Sequence, residues 1–152
     1  MRSAKIPDNF RPELHDQGYR EQLKRAAAEP ASLIVDAGRT RYSLDGSWHF
    51  SPDPFDTCLR SRWWAEDLPA ESDRVMPWDS VTVPSCWNMV SETYRLYEGP
   101  VVYTRTFSYV SNPGQRTFLR FGAAYHDIVV FLNRQLVGYH EGGDTPFNFE
   151  VT

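Results

Sequence analysis

Glu141 and Asp144 flank two glycines, Gly142-Gly143, and a loop of that kind can bring two carboxylates together. Two carboxyl groups ~5–5.5 Å apart are what a retaining glycosidase uses, one as nucleophile and one as acid and base. Both groups lie on a single loop, however, and polar loop residues is the weightier reading, so no residue is assigned a catalytic role. Asp127 opens an apolar run, residues 128–132, and reads as an ion-pair partner. Arg105 shares a strand face with Val101, Tyr103 and Phe107. A guanidinium on an apolar face needs a partner; a salt bridge to Asp127 or Glu141 is the expected one, and a bound anion is the alternative. Trp63, Trp64 and Trp87 are carbohydrate-contact candidates, because aromatic faces stack on pyranose rings. Covering an open sheet edge is an equal claim on them. His49, His126 and His140 are widely spaced, and Cys58 and Cys86 do not form Cys-x-x-Cys pairs, so no metal site is expected. No nucleophile elbow and no phosphate loop is present, and no cofactor is expected.

The elements that must position these residues follow from periodicity. Residues 13–29 predict a helix whose stripe is Leu14, Tyr19, Leu23, Ala26 and Ala27, stopped by Pro30. The period then changes. Short strands are expected at 33–35, 47–50 and 80–83, with a proline-rich loop between the last two. Residues 101–109 alternate cleanly, Asn112-Pro113-Gly114 turns the chain, and 116–121 and 125–132 are further strands. Asn133-Arg134 begins a hairpin into 136–139, and 147–151 reads as another strand. Many short strands with regular turns predict an all-β protein, an antiparallel sandwich preceded by one helix. Residues 1–39 form the extension and 40–152 the sandwich.

Composition narrows the partners. The chain has 152 residues, a net charge of −4 and no basic patch, so nucleic acid is not expected. Five Trp, eight Tyr and nine Phe suit a sandwich core or a sugar surface. The N-terminus lacks the apolar stretch of a signal peptide, no run is long enough to cross a bilayer, and two isolated cysteines fit a reducing compartment. The expected location is cytoplasmic.

Several segments, in order, resemble the first domain of family 2 glycoside hydrolases. They are Leu44-Asp45-Gly46-Ser47-Trp48-His49-Phe50, Val83-Pro84-Ser85-Cys86-Trp87-Asn88, Tyr97-Glu98-Gly99 with Val102-Tyr103-Thr104-Arg105-Thr106-Phe107, and Leu119-Arg120-Phe121-Gly122-Ala123-Ala124. Val130-Phe131-Leu132-Asn133, Val137-Gly138 and His140-Glu141-Gly142-Gly143-Asp144-Thr145-Pro146-Phe147 follow. Arg62-Trp63-Trp64 and the Gly-Gly-x-Thr-Pro-Phe run look more like the β-glucuronidase branch than the β-galactosidase branch. The resemblance implies a jelly-roll sandwich similar to galactose-binding domains. It also implies a parent enzyme in which an immunoglobulin-like domain and a TIM barrel follow, the barrel supplying two glutamates for retaining hydrolysis of a β-glycoside. Asp127, Glu141, Gly142, Gly143, Thr145, Pro146 and Phe147 then count as a structural motif. Arg105 gains a possible role against a uronate carboxylate.

The expected function is therefore that of a non-catalytic accessory domain supporting the barrel and the pocket rim, with carbohydrate as the parent's partner and a homo-oligomer as its state. The alternatives are a free-standing carbohydrate-binding sandwich and a structural interaction module; exposed, coplanar Trp63 or Trp64 would favour the former. The family places Gly more often at position 134, where Arg134 in a two-residue type I′ turn costs ~1 kcal/mol, and a longer turn is the alternative. Family members also continue past the position of Thr152 with further strands. The domain is thus expected to be truncated, to self-associate, or to be completed by its missing C-terminal domains or another copy, with the 13–29 helix partly covering the gap.

Overall fold

Alternating apolar residues build antiparallel strands in each of two compact units, one of residues 38–108, the other of residues 1–37 together with 109–152. The computed structural model describes residues 16–28, 30–31, 38–65 and 78–152. The strand expected at 33–35, much of the proline-rich loop and the first turn of the expected helix lie outside them. The architecture is all-β and antiparallel with one N-terminal helix, a β-sandwich as the sequence predicts. No helix among the described residues is long and apolar enough to cross a membrane.

In residues 38–108, β1 (Gly46–Pro52), β2 (Asp79–Val83) and β3 (Val101–Thr104) form a sheet in the order β2-β1-β3. Phe50 at its centre lies opposite Asp79 on one side and Tyr103 on the other. Its ring meets those of Tyr94 and Tyr103 edge to face, each at 5.1 Å, the geometry that aromatic quadrupoles favour. Phe50, Val81 and Tyr94 are the buried centre, with Trp48, Val83, Trp87, Val101 and Tyr103 packed against it. β3 is shorter than the expected 101–109. Its ladder with β1 ends at the His49–Thr104 pair, and the next side chain, Arg105, reaches to the loop before β1.

The other unit holds α1 (Asp16–Ala26), β4 (Phe118–Phe121), β5 (Asp127–Leu132), β6 (Gln135–Glu141) and β7 (Phe147–Glu150). β5 pairs with β6, and β4 with β7. Period-2 alternation gives the β5–β6 hairpin two different faces. The inner face carries Val130 opposite Gly138 and Ile128 opposite His140, and it packs on Phe147 and Phe149 of β7 and on Leu119 and Phe121 of β4. The outer face carries Asp127, Val129, Tyr139 and Glu141 and is met by α1. The helix ends at Ala26, short of the expected 29, because Pro30 supplies no amide and biases what precedes it toward extended backbone. Asn133 and Arg134 join β5 to β6 with φ of 49° and 63°. This is the two-residue type I′ turn, with Arg134 in a left-handed conformation that β-carbon crowding disfavours.

Candidate functional site

The double-glycine loop is the first of two regions to which the sequence points. Gly142 has φ 138° and donates its amide to the His126 carbonyl at 2.9 Å; a backbone in that region favours glycine. Gly143 lies under the ring of Tyr125, so that a β-carbon there would stand 2.6 Å from Cδ2. Beyond the loop, His140 stacks on Phe147 at 4.0 Å and Phe147 on Phe121 at 4.8 Å, a column of three rings. Glu141, Gly142, Gly143, Thr145, Pro146 and Phe147 therefore lie on one loop and its two flanking strands, with Asp127 facing Glu141 across the β5–β6 ladder.

That facing pair is the most charged point of the region. The Tyr139 hydroxyl donates to Asp127 in a short hydrogen bond and lies 3.0 Å from Glu141 Oε2. Lys24 Nζ of α1 stands 3.9 Å from Asp127 and 3.7 Å from Glu141, and 4.7 Å from the centre of the Tyr139 ring. Burial, and then the bond to Asp127, push the Tyr139 phenol up to about 12. The bond to Tyr139 is the main cause that raises Lys24. His126, Asp127 and Glu141 offer metal-ligand atoms within 4.8 Å of one another, all on exposed residues. Lys24 Nζ already stands against two of the three. Sequence reasoning named Asp127 and Glu141 but missed Lys24 and Tyr139. The available signal was the i, i+2 spacing of Tyr139 and Glu141, which sets both on one strand face.

Arg105 follows directly on the end of β3. Its Nη1 donates to the carbonyls of Leu44 and Asp45 at 2.6 and 2.8 Å. The guanidinium thereby clamps the loop entering β1.

The second region is the set of tryptophan-bearing loops in residues 38–108. Trp63 and Trp64 stand in a single 3₁₀ turn, Trp63–Ala65, and both are half-buried. Trp63 meets Trp78 edge to face at 6.3 Å with 64° between the rings, and the Trp64 indole nitrogen is buried. Trp87 is half-buried against the Phe50 cluster, and its Nε1 donates to the Tyr97 carbonyl at 3.3 Å. Around it, Asn88 Nδ2 reaches the carbonyls of Tyr94, Arg95 and Tyr97 at 2.9, 3.2 and 3.2 Å. Ser91 accepts from the Thr93 amide at 3.2 Å as an N-cap. Met89 and Leu96, each 86% exposed, project from this tied loop. The buried Asp53 accepts from Thr57 Oγ1 at 2.9 Å and from the Cys58 amide at 2.7 Å. Trp63 and Trp78 are thus an edge-to-face pair, and the Trp87 nitrogen has an acceptor.

Residues 41–152 match the family described as glycosyl hydrolases family 2, sugar binding domain. The β-glucuronidase of Canis lupus familiaris is 31% identical over 125 residues, 75% of this chain and 18% of that protein. Among solved structures, a β-glucuronidase of an uncultured Clostridium superposes with a TM-score of 0.64 at 28% identity, over 82% of this chain and 21% of that one. The Bifidobacterium dentium β-glucuronidase, solved in complex with coumarin-3-O-glucuronide, gives 0.58 at 36% identity over 71% and 17%. The chain spans about a fifth of the length of the curated relatives that it matches.

Proposed function

The chain belongs to the sugar-binding-domain family of the family 2 glycosyl hydrolases, and from that membership we propose that it serves as the non-catalytic N-terminal domain of a β-glucuronidase-like enzyme. Its work under this reading is to support the catalytic domain and shape the rim of its pocket, with a β-glycoside as the substrate of the whole. The observation that carries the choice over a free-standing binding module is the geometry of the tryptophans. A module that grips sugars alone needs an open, flat aromatic face. Trp63 and Trp64 are half-buried, and the 64° between the Trp63 and Trp78 rings denies that pair a common plane. Trp87 and Arg105 hold loops in place, while Trp63 and Trp64 would contact a sugar only from the rim of a complete pocket. A cytoplasmic setting, where cysteines such as Cys58 and Cys86 are kept as thiols, is part of this proposal.

A domain exchange tests the reading. Residues 41–152 are put in place of the matching segment of the Bifidobacterium dentium β-glucuronidase, and turnover of an aryl β-glucuronide is measured. Retained turnover is expected. A folded chimera without turnover would count against an accessory role, and saturable sugar binding by the isolated chain would favour the binding module.

A further inference from the structure

The residues that follow α1 occupy the open edges of both strand pairs. Ala28 makes a parallel bridge with Gly138 on the side of β6 away from β5. Three residues on, the Ala31 amide donates to the Asn148 carbonyl at 2.8 Å, on the side of β7 away from β4. The Asn148 side chain answers with its Nδ2 3.4 Å from the Ala31 carbonyl. Asn148 is itself buried, between Phe147 and Phe149 in sequence but on the opposite strand face. Upstream, Leu23 of α1 is 0% exposed, and Lys24 beside it reaches the Asp127–Tyr139–Glu141 cluster. Leu23, Lys24, Ala28 and Ala31 all precede the matched span, 41–152.

We propose that α1 together with Ala28 and Ala31 is an intrachain edge guard that keeps the β6 and β7 edges from pairing with a second copy of the chain. Strand edges expose a row of unpaired amides and carbonyls, and natural proteins cover them because they template pairing between molecules. Here the cover comes from the same chain. Among the described residues it pairs Ala28 with the β6 edge and Ala31 with the β7 edge, buries Leu23 and adds the charge of Lys24 over the hairpin's outer face. The occupant it excludes is a second copy, because the groups left behind at Gly138 and Asn148 are backbone groups that an identical strand can satisfy.

The test uses the full chain with Leu23→Asp and Lys24→Glu, which detach α1 without altering any strand. In the parent, hydrogen exchange should show a protected Ala31 amide, and sedimentation velocity a monomer. In the variant the Ala31 protection should fall about tenfold or more, and the chain should dimerise at micromolar concentrations. A free peptide of residues 16–31, added in excess, should return the variant to monomer. A variant that loses Ala31 protection and stays monomeric over the same range overturns the proposal. So does a parent that dimerises as readily as the variant, or a dimer that the peptide leaves intact. If the double variant also loses protection throughout β1, β2 and β3, it has unfolded. Ala31→Pro, which removes the amide and fixes φ there but leaves α1 untouched, then decides by sedimentation, dimers supporting the guard and a monomer overturning it.

Discussion

Gly138 shows how much a single hydrogen can matter. A β-carbon at that position would lie 2.2 Å from Cε1 of Phe149, inside the core and with no room for the ring to retreat. Gly138→Ala should therefore destabilise by about 1–3 kcal/mol, the usual cost of overpacking, and denaturant titration would measure it. Arg134 points the other way. Its φ of 63° is one that glycine adopts without steric cost, so Arg134→Gly should raise stability by about 1 kcal/mol. A fall in the unfolding midpoint would show that contacts of the arginine side chain outweigh its backbone strain. The turn itself was legible in Asn133-Arg134 because its length and position between apolar strands select it. The partner of Arg105 was not. Its place in the alternation of residues 101–109 showed that a guanidinium needed acceptors, but carbonyls of a loop about sixty residues away leave no mark in a pattern of residue types.

At the scale of elements, β4 and β7 are tied at their ends by charge. Arg116 grips Glu150 with both nitrogens, Nε to Oε1 at 2.9 Å and Nη2 to Oε2 at 2.7 Å. Chiefly through that bond, the Glu150 carboxyl is held down to about 2. A carboxylate with a lowered folded value stabilises above its unfolded value, and the contribution is lost as pH falls through the folded one. Glu150→Gln should thus lower the melting temperature near neutral pH and leave it nearly unchanged at pH of about 2. The effect should be small and weakened by salt, since both groups face solvent; equal loss at both pH values would exclude the linkage. In the other unit the loop after β2 depends on one amide. Asn88→Ala removes the side-chain amide that reaches the carbonyls of Tyr94, Arg95 and Tyr97 and should cost about 1–3 kcal/mol, with hydrogen exchange rising first over residues 87–97. Strand positions were readable from alternation, whereas the shortening of β3 was not, because it is decided by where β1 stops pairing.

For the whole molecule, the accessory reading makes a plain kinetic prediction. The purified chain should show no turnover of aryl β-glucuronides. Measurable turnover that disappears with Glu141→Gln or Asp144→Asn would place a catalytic pair on the double-glycine loop and overturn it. The family was legible because short motifs kept their order and spacing from Leu44 to Phe147, which a loop-rich sandwich needs if its strands are to stay in register. The orientation of the tryptophans was not, because whether an indole lies flat on a surface or edge-on to its neighbour depends on packing across loops. The role of residues 16–31 was only half visible. A helical stripe announces that a helix must pack on something, but the backbone pairing of Ala28 and Ala31 involves no side-chain pattern at all.

The three-ring column gives the molecule a built-in magnetic probe. His140 lies nearly parallel to Phe147, at 4.0 Å and 17°, so the circulating π-electrons of the phenyl group shield the imidazole's carbon-bound protons. Among the four histidines of the chain, His140 should give a resonance displaced upfield, and any event that tilts the double-glycine loop will move that line before it moves the others.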